Sequence, residues 1–243
     1  MGYRLKIDII YRCCGKEVYP EQKRSSRPEW FDKLRCYKSV WDMTQNDPST
    51  FSMHVIYDGE RSPLLDYIEG MRVSDCAIYK VNKGGYESIQ DQYDLADKLT
   101  GDWIYFCEDD YIHSPDAARV MLEGANRFGL ISLYDHLDRY TRSDDRTTGK
   151  ETVALTNSCH WRTAESTCHT WAVSRERWSG VEEYTGMADI AKRNGPNDRS
   201  FFYDMIDHGV RLWTPIPARS THCMKGYMSP LVDWKMVSEW VTL

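Results

Sequence analysis

Long apolar runs are missing from this chain of 243 residues. No stretch approaches the roughly 18 consecutive apolar residues that a membrane-spanning helix needs, so we expect no membrane span. The first ten residues, MGYRLKIDII, place Arg4, Lys6 and Asp8 among the apolar side chains and therefore lack the continuous apolar core of a signal peptide. These two absences predict a cytoplasmic protein.

Paired cysteine spacings are missing as well. The chain has eight cysteines but no C-x-x-C pair, which argues against a zinc ribbon and against a disulfide framework. The nearest approach to a metal-ligand cluster is the stretch CHWRTAESTCH, which contains Cys159, His160, Cys168 and His169. Adjacent residues of an extended chain point to opposite faces, so ordinary loop and strand positions are favoured over a zinc site.

A basic excess is also absent, because 31 Lys and Arg residues stand against 37 Asp and Glu residues, for a formal net charge of -6. Proteins whose main task is to grip a phosphate backbone usually show a clear basic excess, so the composition disfavours that class without excluding a local basic path. The stretch VNKGGYES is rich in glycine but lacks the Gly-Lys-Ser/Thr order of a Walker loop.

Apolar runs and amphipathic stretches alternate through the first half of the chain. Four segments have the pattern of buried strands, namely IDIIYRCC, FSMHVIYDG, SDCAIYKVN and DWIYFCEDD. Helical spacing lies between them: in a segment that begins near Glu29, in SPLLDYIEGM, and from about Tyr86 onward. This alternation predicts an α/β fold with a mostly parallel central sheet.

The pattern becomes mixed in the second half. We expect strands at LISLYDH and TCHTWAVSRERW, separated by a polar stretch, DRYTRSDDRTTGKET, that is typical of a mobile loop. The stretch NDRSFFYDMIDHG is predicted to be a helix, and VRLWTPIPARSTHCM a strand broken by two prolines.

Three consecutive carboxylates, Glu108, Asp109 and Asp110, follow the fourth predicted strand. They would lie at the carboxyl end of a parallel strand, where open α/β sheets bind their ligands. Since adjacent acids repel one another, we expect a cation there. Residues two apart share a face of a strand, so Glu108 and Asp110 could together ligate Mg²⁺ or Mn²⁺. The alternative is a helix N-cap supplied by Asp110 or Ser114, for which one residue suffices.

Four further residues have both a functional and a structural interpretation. Asp58 could contact a base or ribose, or belong to an Asp-Gly turn. Asn82 precedes two glycines, where backbone can approach a ligand closely. His222 could ligate a metal ion or donate a hydrogen bond to a phosphate, although lone histidines are more often structural. Asp198 could be a general base or a helix N-cap.

Taken together, these features resemble the GT-A nucleotide-sugar glycosyltransferases, particularly the family 2-like group and its relatives encoded by phages and large viruses. The matching pieces cover nearly the whole chain: IDIIYRCC, HVIYDG, VNKGG, DWIYFCEDDYIHSPDA, NDRSFFYDM and TPIPARSTHCM. The resemblance implies a single GT-A domain over residues 1–243, with a nucleotide-sugar half to about residue 115 and an acceptor half from about 116 to 243. A viral member would act in the cytoplasm of its host.

The resemblance also implies roles for particular residues. Asp110, with Glu108, would hold Mn²⁺ or Mg²⁺ against the diphosphate of a nucleotide-diphosphate sugar, and His222 would be a further ligand. Asp198 would take the proton from the acceptor hydroxyl during an inverting, in-line attack, with Asp189 and Glu165 in reserve. The implied donor-binding residues are Arg12, Asp58, Asn82 and Asp109.

Several alternatives stay open at this point. The acid motif is Glu-Asp-Asp instead of the more usual Asp-x-Asp, and the base motif begins with Asn197 instead of an acid. The acceptor could be a hydroxymethylated base in phage DNA or a glycan, with Trp161 and Trp171 as candidates for sugar stacking. A nucleotidyltransferase would use similar strand-end carboxylates, and a non-catalytic carbohydrate-binding domain could retain the fold. The sugar, the nucleotide base and the oligomeric state are open as well.

Overall fold

A nine-stranded sheet runs through the protein, as seen in a computed structural model that describes residues 4–15, 26–71, 76–141, 151–180, 187–195 and 197–243. The order of its strands is β3-β2-β1-β4-β9-β6-β10-β8-β7. A separate two-stranded sheet pairs β5 with β11 in antiparallel register. The strands are β1 (Ile7–Cys14), β2 (Phe51–Asp58), β3 (Cys76–Val81), β4 (Trp103–Glu108), β5 (Tyr111–His113), β6 (Leu130–Ile131), β7 (Val153–Leu155), β8 (His160–Ala164), β9 (Trp171–Ser174), β10 (Leu212–Ile216) and β11 (Ser220–His222).

The first four strands form the parallel part of the sheet, because β1 pairs in parallel with both β2 and β4, and β2 pairs in parallel with β3. All four carboxyl ends therefore meet at one edge. The rest of the sheet is mixed: β9 is antiparallel to β4 and β6, whereas β6 and β10 are parallel. The predicted fold class, an α/β sheet with a parallel first half and a mixed second half, is confirmed.

Helices cover both faces of the sheet. Because side chains alternate along a strand, Ile9 and Tyr11 of β1 pack on one face and Ile10 packs on the other. The first face carries α1 (Lys33–Asn46), α2 (Pro63–Gly70) and α4 (Ala117–Ala125). The second carries α3 (Gly85–Ala96), α6 (Arg175–Ser179), α7 (Met187–Asn194) and α8 (Asp198–Asp207). Two further helices are α5 (Asp138–Thr141) and α9 (Trp234–Trp240).

Three local predictions were wrong. Helix α1 begins at Lys33 and not near Glu29, because Asp32 caps it by accepting a hydrogen bond from the Leu34 N–H at 2.8 Å. Strands β7 and β8 were missed, since both are short, β7 is largely exposed and β8 carries polar residues. Trp161 and Trp171 are 0% and 1% exposed, so they are core residues and cannot stack on a sugar.

Two other expectations meet the structure only in part. The polar stretch that was predicted to be a mobile loop lies largely outside the described residues, at 142–150. Within the described ranges, no helix has the length and apolar character needed to cross a membrane.

Candidate functional site

A cleft of about 690 Å³ opens at the edge where β1, β2, β3 and β4 end. This is where open α/β sheets bind ligands, because the helix that follows each strand turns away and leaves a crevice. The cleft brings together most of the residues that the sequence singled out, and it adds several cations. Its charged and amide-bearing lining comprises Arg12, Arg27, Lys33, Asp58, Glu60, Arg61, Asn82, Glu108, Asp109 and Asp110.

The three consecutive acids do not continue β4. The strand ends at Glu108, and Asp109 and Asp110 form a turn before β5 begins at Tyr111. The alternation of side chains along a strand therefore does not apply to them, and the expectation that Glu108 and Asp110 share one strand face was wrong. Each of the three carboxylates instead has a different cationic partner.

Glu108 forms a short ion pair with Arg12 of β1, which is its neighbour in the sheet. Burial opposes the charge on Arg12, but Glu108, Asp109 and Asp110 together outweigh burial and raise the pKa of the guanidinium. Arg12 also donates to the Ser88 hydroxyl at 3.2 Å, which ties the end of β1 to α3. Glu108 is thus committed to a guanidinium in this structure.

Asp109 points toward the start of α1. Its Oδ2 accepts hydrogen bonds from the Lys33 ammonium at 2.8 Å and from the Cys14 backbone N–H at 2.9 Å. Burial raises the pKa of Asp109 even though Lys33 acts in the opposite direction. For Lys33, burial opposes the charged form, but Asp109 and Cys14 together outweigh burial and raise the pKa. This pair fixes the first turn of α1 against the end of β1.

Asp110 is the most enclosed acid of the three and is 5% exposed. Its Oδ2 lies 2.9 Å from both the Arg27 guanidinium and Nε2 of His222, a residue 112 positions away in the sequence. Burial alone would raise the pKa of Asp110, but His222 and Arg27 outweigh it and hold the pKa below its usual value. Burial also opposes the charge on His222, yet Asp110 raises the pKa of the imidazole well above its usual value. The His222 ring stacks on Tyr111 with centroids 5.0 Å apart.

Asp110 and His222 fit a divalent ion better than the three-residue set that the sequence suggested. Oδ1 of Asp110 is buried without a hydrogen-bond partner, and a carboxylate with an imidazole that releases its proton on metal binding suits Mn²⁺ or Mg²⁺. Among the described residues, however, no group of three or more His, Cys, Asp or Glu side chains is arranged to hold a metal ion. A substrate diphosphate would therefore have to supply further ligands, as is common for Mg²⁺.

Asp58 organises the loop that follows β3 and lines the cleft. Its two carboxylate oxygens accept hydrogen bonds from the backbone N–H groups of Lys83 and Gly84, each at 2.9 Å. Gly84 has φ +101°, a conformation that side-chain-bearing residues rarely adopt, and its turn leads into α3. Asp58 therefore holds Asn82, which lines the cleft, in place.

Replacing Asp58 with asparagine is expected to lower the free energy of unfolding by about 1.5–3 kcal/mol, because an amide can accept only one of the two backbone hydrogen bonds. Urea denaturation measures the change. Asp94→Asn is the matched control, because Asp94 is 57% exposed and its loss should cost well under 1 kcal/mol. Equal stabilities for the two variants would contradict the role given to Asp58.

A second cavity of about 520 Å³ contains Asp198, the first residue of α8. Oδ1 of Asp198 lies 2.8 Å from Nε2 of His169. Burial raises the pKa of Asp198 despite the opposing effect of His169. Asn197 caps α8 by accepting a hydrogen bond from the Ser200 N–H, so Asp198 is not needed as the cap. The reserve candidates Asp189 and Glu165 are described, but neither lines this cavity.

The two cavities meet at the segment that precedes β9. Cys168 lines the second cavity and contacts His222, whose partner Asp110 lines the first. The next residue, His169, contacts Asp198 and is influenced by the charge of Glu108. The stretch CHWRTAESTCH thus contributes to the site through Cys168 and His169 and not as a zinc cluster.

Four site residues were not identified from the sequence, namely Arg27, Lys33, Cys168 and His169. Arg27 and Lys33 pair with acids that lie 83 and 76 positions away, and nothing in the local sequence signals such contacts. For Cys168 and His169 a signal was present, since two metal- or proton-binding side chains stand side by side, but it was interpreted only as a metal pattern.

Comparison with known proteins gives a fold and no family. No protein-family model matches the sequence, and no curated protein sequence matches it significantly. Among solved structures, GalNAc-T7 with UDP, GalNAc and Mn²⁺ has a TM-score of 0.53 and 11% sequence identity, over 93% of this chain and 45% of that one. The present chain thus spans less than half the length of GalNAc-T7.

Two further structures match less closely. The mannosyltransferase PcManGT from Pyrobaculum calidifontis, in complex with GDP-Man and Mn²⁺, has a TM-score of 0.48 at 12% identity, over 88% of this chain and 55% of that one. A CMP:2-keto-3-deoxy-manno-octonic acid synthetase complexed with CTP has a TM-score of 0.46 at 9% identity, over 86% and 88%. At such identities the likeness concerns the fold, which is the GT-A-like α/β arrangement.

Proposed function

We propose that this chain with a GT-A-like fold is a metal-dependent glycosyltransferase, which moves a sugar from a nucleotide-diphosphate sugar to an acceptor hydroxyl. One observation carries the proposal: the buried Asp110–His222 pair lies at the strand-end cleft, and a second polar cavity with a carboxylate adjoins it. Transfer between two bound substrates requires two such compartments next to one another.

The cleft suits a nucleoside diphosphate. Arg12, Arg27, Lys33 and Arg61 line it. The first three pair with acids in this structure, but a guanidinium or ammonium has several N–H groups and can also donate to phosphate oxygens. Asn82 and the glycine loop that Asp58 organises also line the cleft, and Arg12 reaches this loop through a hydrogen bond to the Gly85 carbonyl at 3.4 Å. We propose that these neutral polar groups contact the base and ribose, and that the cations contact the diphosphate.

Asp110 and His222 would hold the ion, with Glu108 nearby but paired to Arg12. A bound Mn²⁺ or Mg²⁺ supplies positive charge that stabilises the leaving nucleoside diphosphate. Arg27 would add positive charge for the leaving nucleoside diphosphate, since its guanidinium lies against Asp110. Tyr111 keeps the His222 ring in a fixed plane by stacking.

The second cavity is proposed to receive the acceptor. Its lining is almost entirely polar, which suits a carbohydrate whose hydroxyls need hydrogen-bond partners (the residues are His136, Asp138, Arg139, Ser166, Thr167, Cys168, Asn197, Asp198, Arg199 and Tyr227). Asp198 would accept the proton of the attacking hydroxyl, and attack from the side opposite the diphosphate would invert the sugar. The net charge of -6 favours a glycan acceptor over a hydroxymethylated base in DNA.

Incubating the protein with Mn²⁺ and a panel of UDP-, GDP-, dTDP- and CDP-sugars tests the proposal. We expect one donor to release nucleoside diphosphate slowly, with water as the nucleophile, and chelation to stop the release. Simple sugars and hydroxymethylated DNA, added separately, should show which acceptor accelerates it. Release of pyrophosphate from nucleotide triphosphates would indicate a nucleotidyltransferase instead. Binding of glycans without any donor turnover would indicate a binding domain, and in either case the proposal fails.

A further inference from the structure

An ion pair between His169 and Asp198 lies outside the donor cleft, at the side of the second cavity. Nε2 of His169 is 2.8 Å from Oδ1 of Asp198, and the side chains are only 15% and 23% exposed. Burial opposes the charge on His169, but Asp198 and Glu108 together outweigh burial and raise the pKa of the imidazole. The pair is thus largely removed from water. A charge–charge contact in such a buried position is stronger than one at the surface.

The segment that carries His169 is held rigidly on both sides of that residue. Thr167 and Thr170 are 5% and 0% exposed. The Ser132 hydroxyl donates a hydrogen bond to the Thr170 carbonyl at 2.7 Å and lies 3.3 Å from the Thr167 hydroxyl. The backbone N–H of Glu108 donates to the Thr170 hydroxyl at 3.4 Å, which ties the segment to the end of β4. His169 therefore has a fixed backbone beside the donor cleft.

Asp198 is less constrained by its own element. It is the first residue of α8, where a side chain has few helical neighbours, and Asn197 already supplies the cap. The charges of Glu108 and Arg12 act on the Asp198 carboxyl in opposite directions, and neither makes a contact that fixes its orientation. Among the residues that the structure describes, His169 is accordingly the contact that determines where the carboxylate points.

We propose that His169 is a positioning residue, which holds the Asp198 carboxylate in the orientation that receives the proton of the attacking hydroxyl. The inference rests on the proposed function of the chain. In the step, the acceptor oxygen forms a bond to the anomeric carbon while its proton moves to the second oxygen of Asp198. The bond between the anomeric carbon and the phosphate oxygen breaks, and its electron pair leaves with the nucleoside diphosphate. His169 keeps its contact with Oδ1 throughout.

Two amide substitutions of His169 distinguish the loss of the contact with Asp198 from the loss of the buried imidazole itself. The amide nitrogen of glutamine lies close to the position of Nε2 and can still contact Asp198, whereas that of asparagine lies near Nδ1 and falls short. The assay is hydrolysis of the donor identified in the panel, in Mn²⁺, with kcat and donor KM determined separately. Thermal unfolding shows that each variant is folded at the assay temperature.

We expect His169→Asn to lower kcat about 10- to 100-fold with donor KM unchanged, and His169→Gln to stay within about fivefold of the wild type. In a double-mutant cycle, His169→Asn should add little to Asp198→Asn, because both act through one carboxylate. Three results would each overturn the inference but leave the proposed function standing. They are a wild-type kcat in His169→Asn, equal losses of kcat in both amide variants, and additive losses in the double-mutant cycle. A wild-type protein that turns over no donor refutes the proposed function and the inference with it.

Discussion

Replacing Asp110 with asparagine is expected to abolish metal-dependent turnover of the donor, with a loss of at least about 10³ in kcat/KM. The carboxylate is the only charged oxygen ligand in the pair that we propose for the ion, and an amide oxygen binds a hard cation far more weakly. The substitution also removes the carboxylate that balances the buried charges of Arg27 and His222. Both effects act on the same cleft, so they must be measured separately.

Donor affinity in Mn²⁺ and in a chelator, determined by calorimetry, isolates the effect on the metal. In the wild type the affinity should fall on chelation, and in Asp110→Asn it should be low in both conditions. The second effect is a loss of stability of about 3–5 kcal/mol, since one partner of a buried ion pair is removed. Asp94→Asn serves as the exposed control for both measurements. A variant that keeps the Mn²⁺-dependent gain in affinity would show that the ion binds elsewhere.

Replacing Asp198 with asparagine is expected to lower kcat about 10²- to 10⁴-fold, which is the usual contribution of a general base. Donor affinity should not change, because Asp198 lies in the second cavity and not in the donor cleft. The raised pKa of Asp198 gives this effect a pH dependence. Since the base must be ionised, activity should be present above its pKa and should fall as the pH drops through it, at a higher pH than for an ordinary aspartate.

Asp189 offers a matched control for Asp198. It belongs to the neighbouring helix α7, it was one of the two reserve candidates from the sequence, and it lines neither cavity. Asp189→Asn should therefore retain the kcat of the wild type. The opposite result, a loss in Asp189→Asn with normal turnover in Asp198→Asn, would assign the base to α7 and refute the role given to Asp198.

The parallel half of the sheet was predictable from the sequence because β1, β2 and β4 are largely buried on both faces, whereas β3 at the sheet edge is only partly buried. The signature of a strand buried on both faces is a mostly apolar run, such as Ile7 to Cys14. This run is visible in the sequence whichever strands lie beside it in the sheet. Strands β7 and β8 lack such a run, which is why the sequence did not predict them. They are short, and β8 alternates buried residues with polar ones such as His160 and Arg162.

The location of the candidate site was predictable, but its internal pairing was not. Acids at the end of a parallel strand indicate a ligand-binding edge whatever their partners are. The contact between Asp110 and His222 spans 112 positions, and only the resemblance to a known family linked the two residues. The cations Arg27 and Lys33 had no such guide. Long-range ion pairs depend on how the chain is folded, which no local pattern of residues encodes.

The pairing of the three acids with Arg12, Lys33 and Arg27 has a consequence for how this protein comes to be folded. Three adjacent carboxylates without partners would make a strand end that assembles only around an added cation, as small zinc-binding domains assemble around their metal. Here the balancing charges are part of the chain itself and come from its first 33 residues. We therefore expect folding not to depend on ion binding, so that the cleft forms before any divalent ion or donor enters it.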